Sequence, residues 1–190
     1  MTYEAADALL EQRLSPSAAA HCRRVGDTAA SLATLYGVDV ATARLAGLLH
    51  DWDREQTPEQ LFAAAAAAGI SVSTADTTVP YLLHAHTGAA AIRAAFPGVP
   101  DAVITAVAHH TVGSADMTDL DKIVYVADMI EPRREYPGVE TLRELSATAT
   151  LAELFATAYQ RSILYLIGNR KRIHPDTVAV WNELVAGEQS

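Results

Sequence analysis

Residues 41–49 form an apolar, Ala-rich run, and it stops on His50-Asp51. The run reads as a helix heading into the interior, with the polar pair at its end. The two side chains point roughly 100° apart there. Both can reach one point in a cleft, where an imidazole nitrogen and a carboxylate oxygen together suit a divalent transition metal. A lone His-Asp pair is more often just a polar helix terminus. The remainder of the chain changes that balance, because His21 lies upstream and His84, His86, His109, His110 and Asp128 lie downstream, each on or beside an expected helix.

A chain of 190 residues reads as one domain, residues 1–190, large enough to bury a core. Half of the residues are apolar and Ala abounds, which favours helix. The one cysteine, Cys22, excludes an internal disulfide framework and fits a reducing compartment. The segment Met1-Thr2-Tyr3-Glu4-Ala5 lacks the basic region of a secretory leader, and the apolar run Leu61 to Ile70 is too short to span a bilayer. The expectation is a cytoplasmic protein without a membrane partner. A formal charge of -9 argues against general nucleic-acid binding. A small polyanion is still compatible, because bound cations reverse the sign locally.

Helix signals recur along the chain. Tyr3 to Arg13 reads as a short amphipathic helix. Ser15-Pro16 pairs an N-cap with Pro at the first helical position, and that helix runs to Tyr36 and Gly37. His21 shares its inner face with Leu14, Val25 and Thr28, whereas Arg23 and Arg24 read as solvated. Asp39 caps the helix that ends at His50-Asp51. Thr57-Pro58 opens the next, which ends at Gly69. Residues 71–79 read as a loop. A helix is expected from Pro80 to near Phe96, another from Pro100-Asp101 through His110, and another from Thr118 to Glu131-Pro132. Leu151 to Ile167 forms a long helix, and His174-Pro175-Asp176-Thr177 begins a last one. No alternating pattern long enough for a sheet is present, and no repeat. The fold class is all-α, a single helical bundle.

Helical phase sorts the candidate ligands. His84 and His86 cannot share a face, so at most one points inward. His110 lies on the stripe of Val103 and Val107, while His109 does not. Asp128 sits at the edge of the stripe Leu120, Ile123, Val124, Ala127 and Ile130, where a carboxylate needs a partner, either a metal or a basic side chain. The constellation is then His21, His50, Asp51, His84, His110 and Asp128. Asp51 can bridge two metals, with His21, His50 and Asp128 on one and His84 and His110 on the other. Arg54 follows the His-Asp pair as a candidate phosphate ligand, or as an exposed partner of Asp53 or Glu55. Arg133-Arg134 is a second basic site, either a phosphate clamp or a solvated helix terminus.

This ligand order resembles that of the HD-domain phosphohydrolases. The closer resemblance is to the YqeK-type family, the bacterial symmetrical diadenosine tetraphosphate hydrolases. It is carried by Ala46-Gly47-Leu48-Leu49-His50-Asp51, by Leu83-His84-Ala85, and by His110-Thr111 with Gly113. It continues through Met117-Thr118-Asp119-Leu120-Asp121-Lys122 and Tyr125-Val126-Ala127-Asp128-Met129-Ile130-Glu131-Pro132. Arg134-Glu135-Tyr136-Pro137-Gly138-Val139-Glu140 and Leu142-Arg143-Glu144-Leu145 follow. The match spans His21 to Thr177. The His-Asp pair alone is a weak signal; the block around Asp128 is specific. Arg54 departs from the family, which usually carries Lys there, and His86 and His109 are additional to its pattern.

The resemblance implies metal-assisted hydrolysis of diadenosine tetraphosphate, or a related bis-nucleoside tetraphosphate, into two ADP by a metal-bound hydroxide. Two cations, typically ~3.5–4 Å apart, acidify a bridging water and hold a phosphate oxygen. Iron is the metal the resemblance favours, and the mixed ligands equally admit manganese or zinc. Asp51 and Arg54 are then the catalytic candidates, with Arg54, Lys122, Arg133 and Arg134 as phosphate contacts. Two other functions fit the same ligands: an HD phosphohydrolase acting on a mononucleotide or a guanosine alarmone, and a non-catalytic HD module that binds nucleotide or a protein. A complete ligand set argues against the module, since buried unpaired His and Asp are costly. The sequence leaves the oligomeric state open, a homodimer included.

The phase argument is testable within one dipeptide. His110→Ala should abolish turnover and weaken metal binding, while His109→Ala should retain the metal. Metal analysis of both variants checks this, and equal loss in the two would show the helix phase to be misplaced.

Overall fold

The computed structural model describes residues 1–187; the last three residues of the expected 1–190 domain lie outside the described part. No strand occurs among the described residues. The elements are α1 (Tyr3–Arg13), α2 (Pro16–Tyr36), α3 (Val40–Leu49), α4 (Pro58–Ala67), α5 (Thr74–Thr78), a 3-10 turn (Pro80–Leu83), α6 (His84–Ala95), α7 (Asp101–His109), α8 (Asp119–Ile130), α9 (Val139–Ser146), α10 (Leu151–Gly168) and α11 (Pro175–Gly187).

Local chemistry sets most of the boundaries. The side chains of Ser15, Asp39, Thr57, Thr118 and Thr150 each accept a backbone N–H in the first turn of their helix. The backbone N–H groups of Thr57, Thr118 and Thr150 donate in return to the side-chain oxygen of the residue three positions on. Gly37, at φ 73°, closes α2 in the left-handed region that an L side chain avoids.

Three segments differ from the sequence expectation. Residues 74–78 are helical rather than loop, because Ser73 and Asp76 cap each other's backbone. Residues 80–83 turn as a 3-10 segment, so the α-helix begins only at His84. Residues 139–146 form α9, which the sequence reading did not assign to helix.

The core that positions the site lies between α2, α3, α7, α8 and α10. Cys22, Val25 and Ala29 of α2 are buried with Ala46, Leu48 and Leu49 of α3, Val103 and Val107 of α7, Ile123, Val124 and Ala127 of α8, and Phe155 and Tyr159 of α10. α2 and α3 cross with no room for side chains. A Cβ on Gly47 would lie 2.8 Å from the Gly26 Cα and 2.9 Å from the Val25 carbonyl oxygen. That approach carries His21 of α2 to His50 at the end of α3, with ring centroids 5.3 Å apart. At the other side, the buried Tyr159 hydroxyl donates to the Val112 carbonyl at 2.6 Å and pins the segment after α7.

Gly47→Ala should therefore force the two backbones apart and destabilise the protein by about 1–3 kcal/mol. Urea unfolding checks this; an unchanged midpoint would mean that α2 and α3 separate without cost.

Candidate metal centre

Three histidines are presented in the same way. Nδ1 of His50 bonds the Gly47 carbonyl at 2.7 Å, Nδ1 of His84 the Tyr81 carbonyl at 2.6 Å, and Nδ1 of His110 the Val107 carbonyl at 2.7 Å. A carbonyl only accepts, so each Nδ1 carries the proton and each neutral ring keeps its lone pair on Nε2. His50 closes α3 and His110 closes α7, where the last carbonyls lack helical donors. His84 closes the 3-10 turn. Each carbonyl belongs to the residue three positions earlier, so the helix ending itself sets the tautomer.

The three Nε2 atoms converge on Asp51. Oδ2 of Asp51 lies 3.4 Å from His50 Nε2 and 3.8 Å from His21 Nε2. Oδ1 lies 3.1 Å from His84 Nε2 and 3.5 Å from His110 Nε2. One carboxylate thus turns each oxygen to a different pair of histidines. The ligand atoms of His21, His50 and Asp51, and those of Asp51, His84 and His110, each lie within 4.8 Å of one another. Asp128 joins the first group, its Oδ1 being 2.9 Å from His21 Nε2 and 3.8 Å from His50 Nε2.

Two features show that these residues fit a cation. His50 Nε2 is buried and has no hydrogen-bond partner, which is costly for a polar atom. His84 and His110 set their Nε2 atoms 3.1 Å apart. Two lone pairs face each other there, and a proton or a cation must resolve the contact. Thr111 Oγ1, 3.0 Å from His110 Nε2 and 3.4 Å from His84 Nε2, can satisfy only one of them with its single proton.

The charges support the same reading. Burial works to raise the Asp51 pKa, but the His50 charge and the bonds from His110, His50 and His84 hold it well below the usual carboxylate range. Asp128 is likewise depressed against its burial by His21, His50 and Arg134. Burial lowers the His110 pKa to about 4, which keeps that ring neutral. Burial acts the same way on His50, yet the Asp51 carboxylate overrides it and raises the pKa to about 9. Without a cation, the carboxylates thus draw a proton to the centre.

A second layer holds His21. Its Nδ1 lies 3.1 Å from Glu131 Oε1. Glu131 is buried and accepts Arg24 Nε at 2.6 Å and the Arg133 backbone N–H at 2.8 Å. Burial would raise its pKa, but these donors bring it down to about 2. Carboxylates placed behind ligating histidines in this way fix ring orientation and raise basicity. Sequence reading missed both residues: Arg24 is not a solvated face residue but the counter-charge of Glu131. No local signal marks them, because His21 and Glu131 lie 110 positions apart and meet only where α2 packs on the end of α8.

The other expected residues lie as follows. Arg134 pairs with Asp128 Oδ1 and donates from Nε to the Asp128 carbonyl at 2.7 Å. Arg54 places Nε 3.6 Å from Asp51 Oδ2. Arg133 has an exposed side chain. Lys122 pairs with Asp119 at 3.2 Å in the first turn of α8, and six residues of helix separate it in height and direction from Asp128. His109 turns away from the cluster to Asp121 Oδ2 at 3.1 Å. His86 lines a separate cavity of about 410 Å³ with Asp76 and His174.

The sequence pattern of the HD domain matches residues 18–133, which includes every one of the ligand candidates. The chain belongs to the HD-domain family. Relatives of this HD-domain chain include the symmetrical bis(5'-nucleosyl)-tetraphosphatase of Bacillus subtilis (strain 168), 31% identical over 187 residues, which are 98% of this chain and 100% of the relative. The enzyme of the same name from Halalkalibacterium halodurans is 32% identical over 181 residues, 93% of this chain and 94% of the relative. A crystal structure from Clostridium acetobutylicum, described as a predicted HD superfamily hydrolase involved in NAD metabolism, superposes with a TM-score of 0.92 at 29% identity and covers 98% of each chain. The resemblance read from the motifs thus extends over nearly the full length, and His-Asp clusters of this kind suit divalent metal. No helix among the described residues is long and apolar enough to cross a membrane.

Glu131→Gln keeps the shape but removes the charge behind His21. Metal affinity of the HD-domain protein should fall about 10–100-fold, measured by competition with a chelating dye. Wild-type affinity in that variant would reduce Glu131 to a structural partner of Arg24.

Proposed function

We propose that this protein hydrolyses diadenosine tetraphosphate symmetrically, giving two ADP, and that it uses two divalent ions shared by Asp51. One observation carries the reading: each oxygen of Asp51 faces a different pair of histidines. In this reading His21, His50 and Asp128 complete one ion's ligands and His84 and His110 the other's. The names of the full-length relatives support the substrate. Iron is the proposed metal; mixed imidazole and carboxylate ligands also accommodate manganese and zinc. The chain acts as a single HD-type domain, and its single cysteine, Cys22, is buried and unpaired, in keeping with a cytoplasmic setting.

Divalent ions, when bound, supply the Lewis acidity that acidifies water and polarises a phosphoryl oxygen. The chain's own contribution is placement and charge. Water adds to an inner phosphorus, and the bond from that phosphorus to the central bridging oxygen breaks. One ADP leaves with the bridging oxygen, and the other retains the oxygen of water. Negative charge grows on the phosphoryl oxygens as this happens, and preset guanidinium groups stabilise it. Arg54 and Arg134 are the contacts the geometry supports best, because both already lie against cluster carboxylates. Arg133 is the outer member of the group. Lys122 is the weakest member, being engaged by Asp119. Which phosphorus reacts is a matter of positioning.

The test is the identity of the first products from metal-loaded protein. ADP should be the sole early nucleotide product by chromatography. Equimolar ATP and AMP would exclude symmetrical cleavage, and no turnover with full metal content would point to another phosphorylated substrate. Asp51→Ala should lose most activity and metal together.

A further inference from the structure

Arg54 belongs to a stack that reaches the metal ligands. The Tyr81 ring lies on the His84 ring, centroids 4.6 Å apart and planes inclined by 25°. The Arg54 guanidinium carbon lies 4.0 Å from the centroid of the same Tyr81 ring. The backbone carbonyl of Tyr81 is also the acceptor that fixes the His84 tautomer. Tyr81 thus joins a metal-ligand candidate to a phosphate-contact candidate, through its ring on both and its carbonyl on one. Its side chain is otherwise poorly covered: the residue is 41% exposed, and it counts among the exposed large hydrophobic residues rather than the core. Packing into the core does not explain an aromatic side chain there.

We propose that Tyr81 is a positioning residue that holds the Arg54 guanidinium ready for a substrate phosphate. The inference rests on the reading of Arg54 as a phosphate contact. Its physical basis is the choice of guanidinium. A planar, weakly hydrated guanidinium stacks on an aromatic face, while a compact ammonium keeps its water. Arg54 also touches Asp51 Oδ2, but only at 3.6 Å, and that oxygen is the one turned to His21 and His50. When Oδ2 is taken by a cation, the ring becomes the anchor of Arg54. A fork held in place loses less rotamer freedom on meeting phosphate than one that swings free.

The experiment compares Tyr81→Phe, Tyr81→Ala, Arg54→Ala, Arg54→Lys and the Tyr81→Ala/Arg54→Ala double variant. The readouts are KM, kcat, bound metal, and the inhibition constant of inorganic pyrophosphate, a probe with phosphates and no base. Tyr81→Phe should behave as wild type, since the ring face is kept. Tyr81→Ala should raise KM and the pyrophosphate inhibition constant about two- to fivefold and lower kcat by no more than Arg54→Ala does, with metal content retained, because the backbone carbonyl to His84 remains. In the Arg54→Ala background, removing the ring should add nothing. Arg54→Lys should resemble Tyr81→Ala, since it keeps the charge and loses the stack. A full Tyr81→Ala effect persisting in Arg54→Ala, or an unchanged pyrophosphate constant, would show that the ring touches the nucleoside directly and would overturn the proposal. Wild-type kinetics in Tyr81→Ala would do the same. Unchanged kinetics in Arg54→Ala would instead remove the phosphate role of Arg54 itself, an outcome distinct from a failure at Tyr81.

Discussion

Everything at the centre depends on a bond from a ring nitrogen to a backbone carbonyl three residues earlier. It occurs at His50, His84 and His110. His50 and His110 lie where a helix ends and its last carbonyls lack helical donors, and His84 lies where the 3-10 turn passes into α6, sharing the Tyr81 carbonyl with its own backbone N–H. The imidazole supplies one donor, and in doing so turns its unprotonated nitrogen away from the helix. Local helix chemistry thus orients the lone pairs before any tertiary contact is considered. The bundle then has only to aim three such endings at one carboxylate.

Aiming them requires charge to be buried, and the arrangement of charges explains why that is tolerated. Asp51 and Asp128 are both depressed in pKa despite burial that works to raise them. Arg134 offsets Asp128 from one side, and the His21 ring meets it from the other. Behind His21, Glu131 and Arg24 form a further pair with the Arg133 backbone. An isolated buried carboxylate would be expensive; here each is answered by imidazole or guanidinium. The same balance leaves room for divalent cations, which would replace the proton now drawn to His50.

Much of this was legible in the chain, and for identifiable reasons. The capped starts at Ser15, Asp39, Thr57 and Thr118 fall where side-chain chemistry alone puts them. Helical phase separates His110 from His109, because neighbouring residues on a helix face different ways. Short elements were harder. α5 is five residues held by one reciprocal cap, and α9 is eight residues whose Val139 and Leu142 bury against the bundle. Glu131 and Arg24 were missed because each looks like an ordinary charged residue until they meet across 107 positions of sequence.

What the sequence determined by itself is most of the helices, the inward phase of His110 against His109 and the His50-Asp51 pair, since capping and periodicity act over three or four residues and can be read locally. The division of Asp51 between two pairs of histidines was decided only in three dimensions, as were the Glu131 support of His21 and the Tyr81 stack on His84 and Arg54. They depend on how closely α2 and α3 cross at Gly26 and Gly47, and on where the endings of α7 and the 3-10 turn arrive. Those distances are set by packing between segments far apart in sequence, and local pattern carries no measure of them.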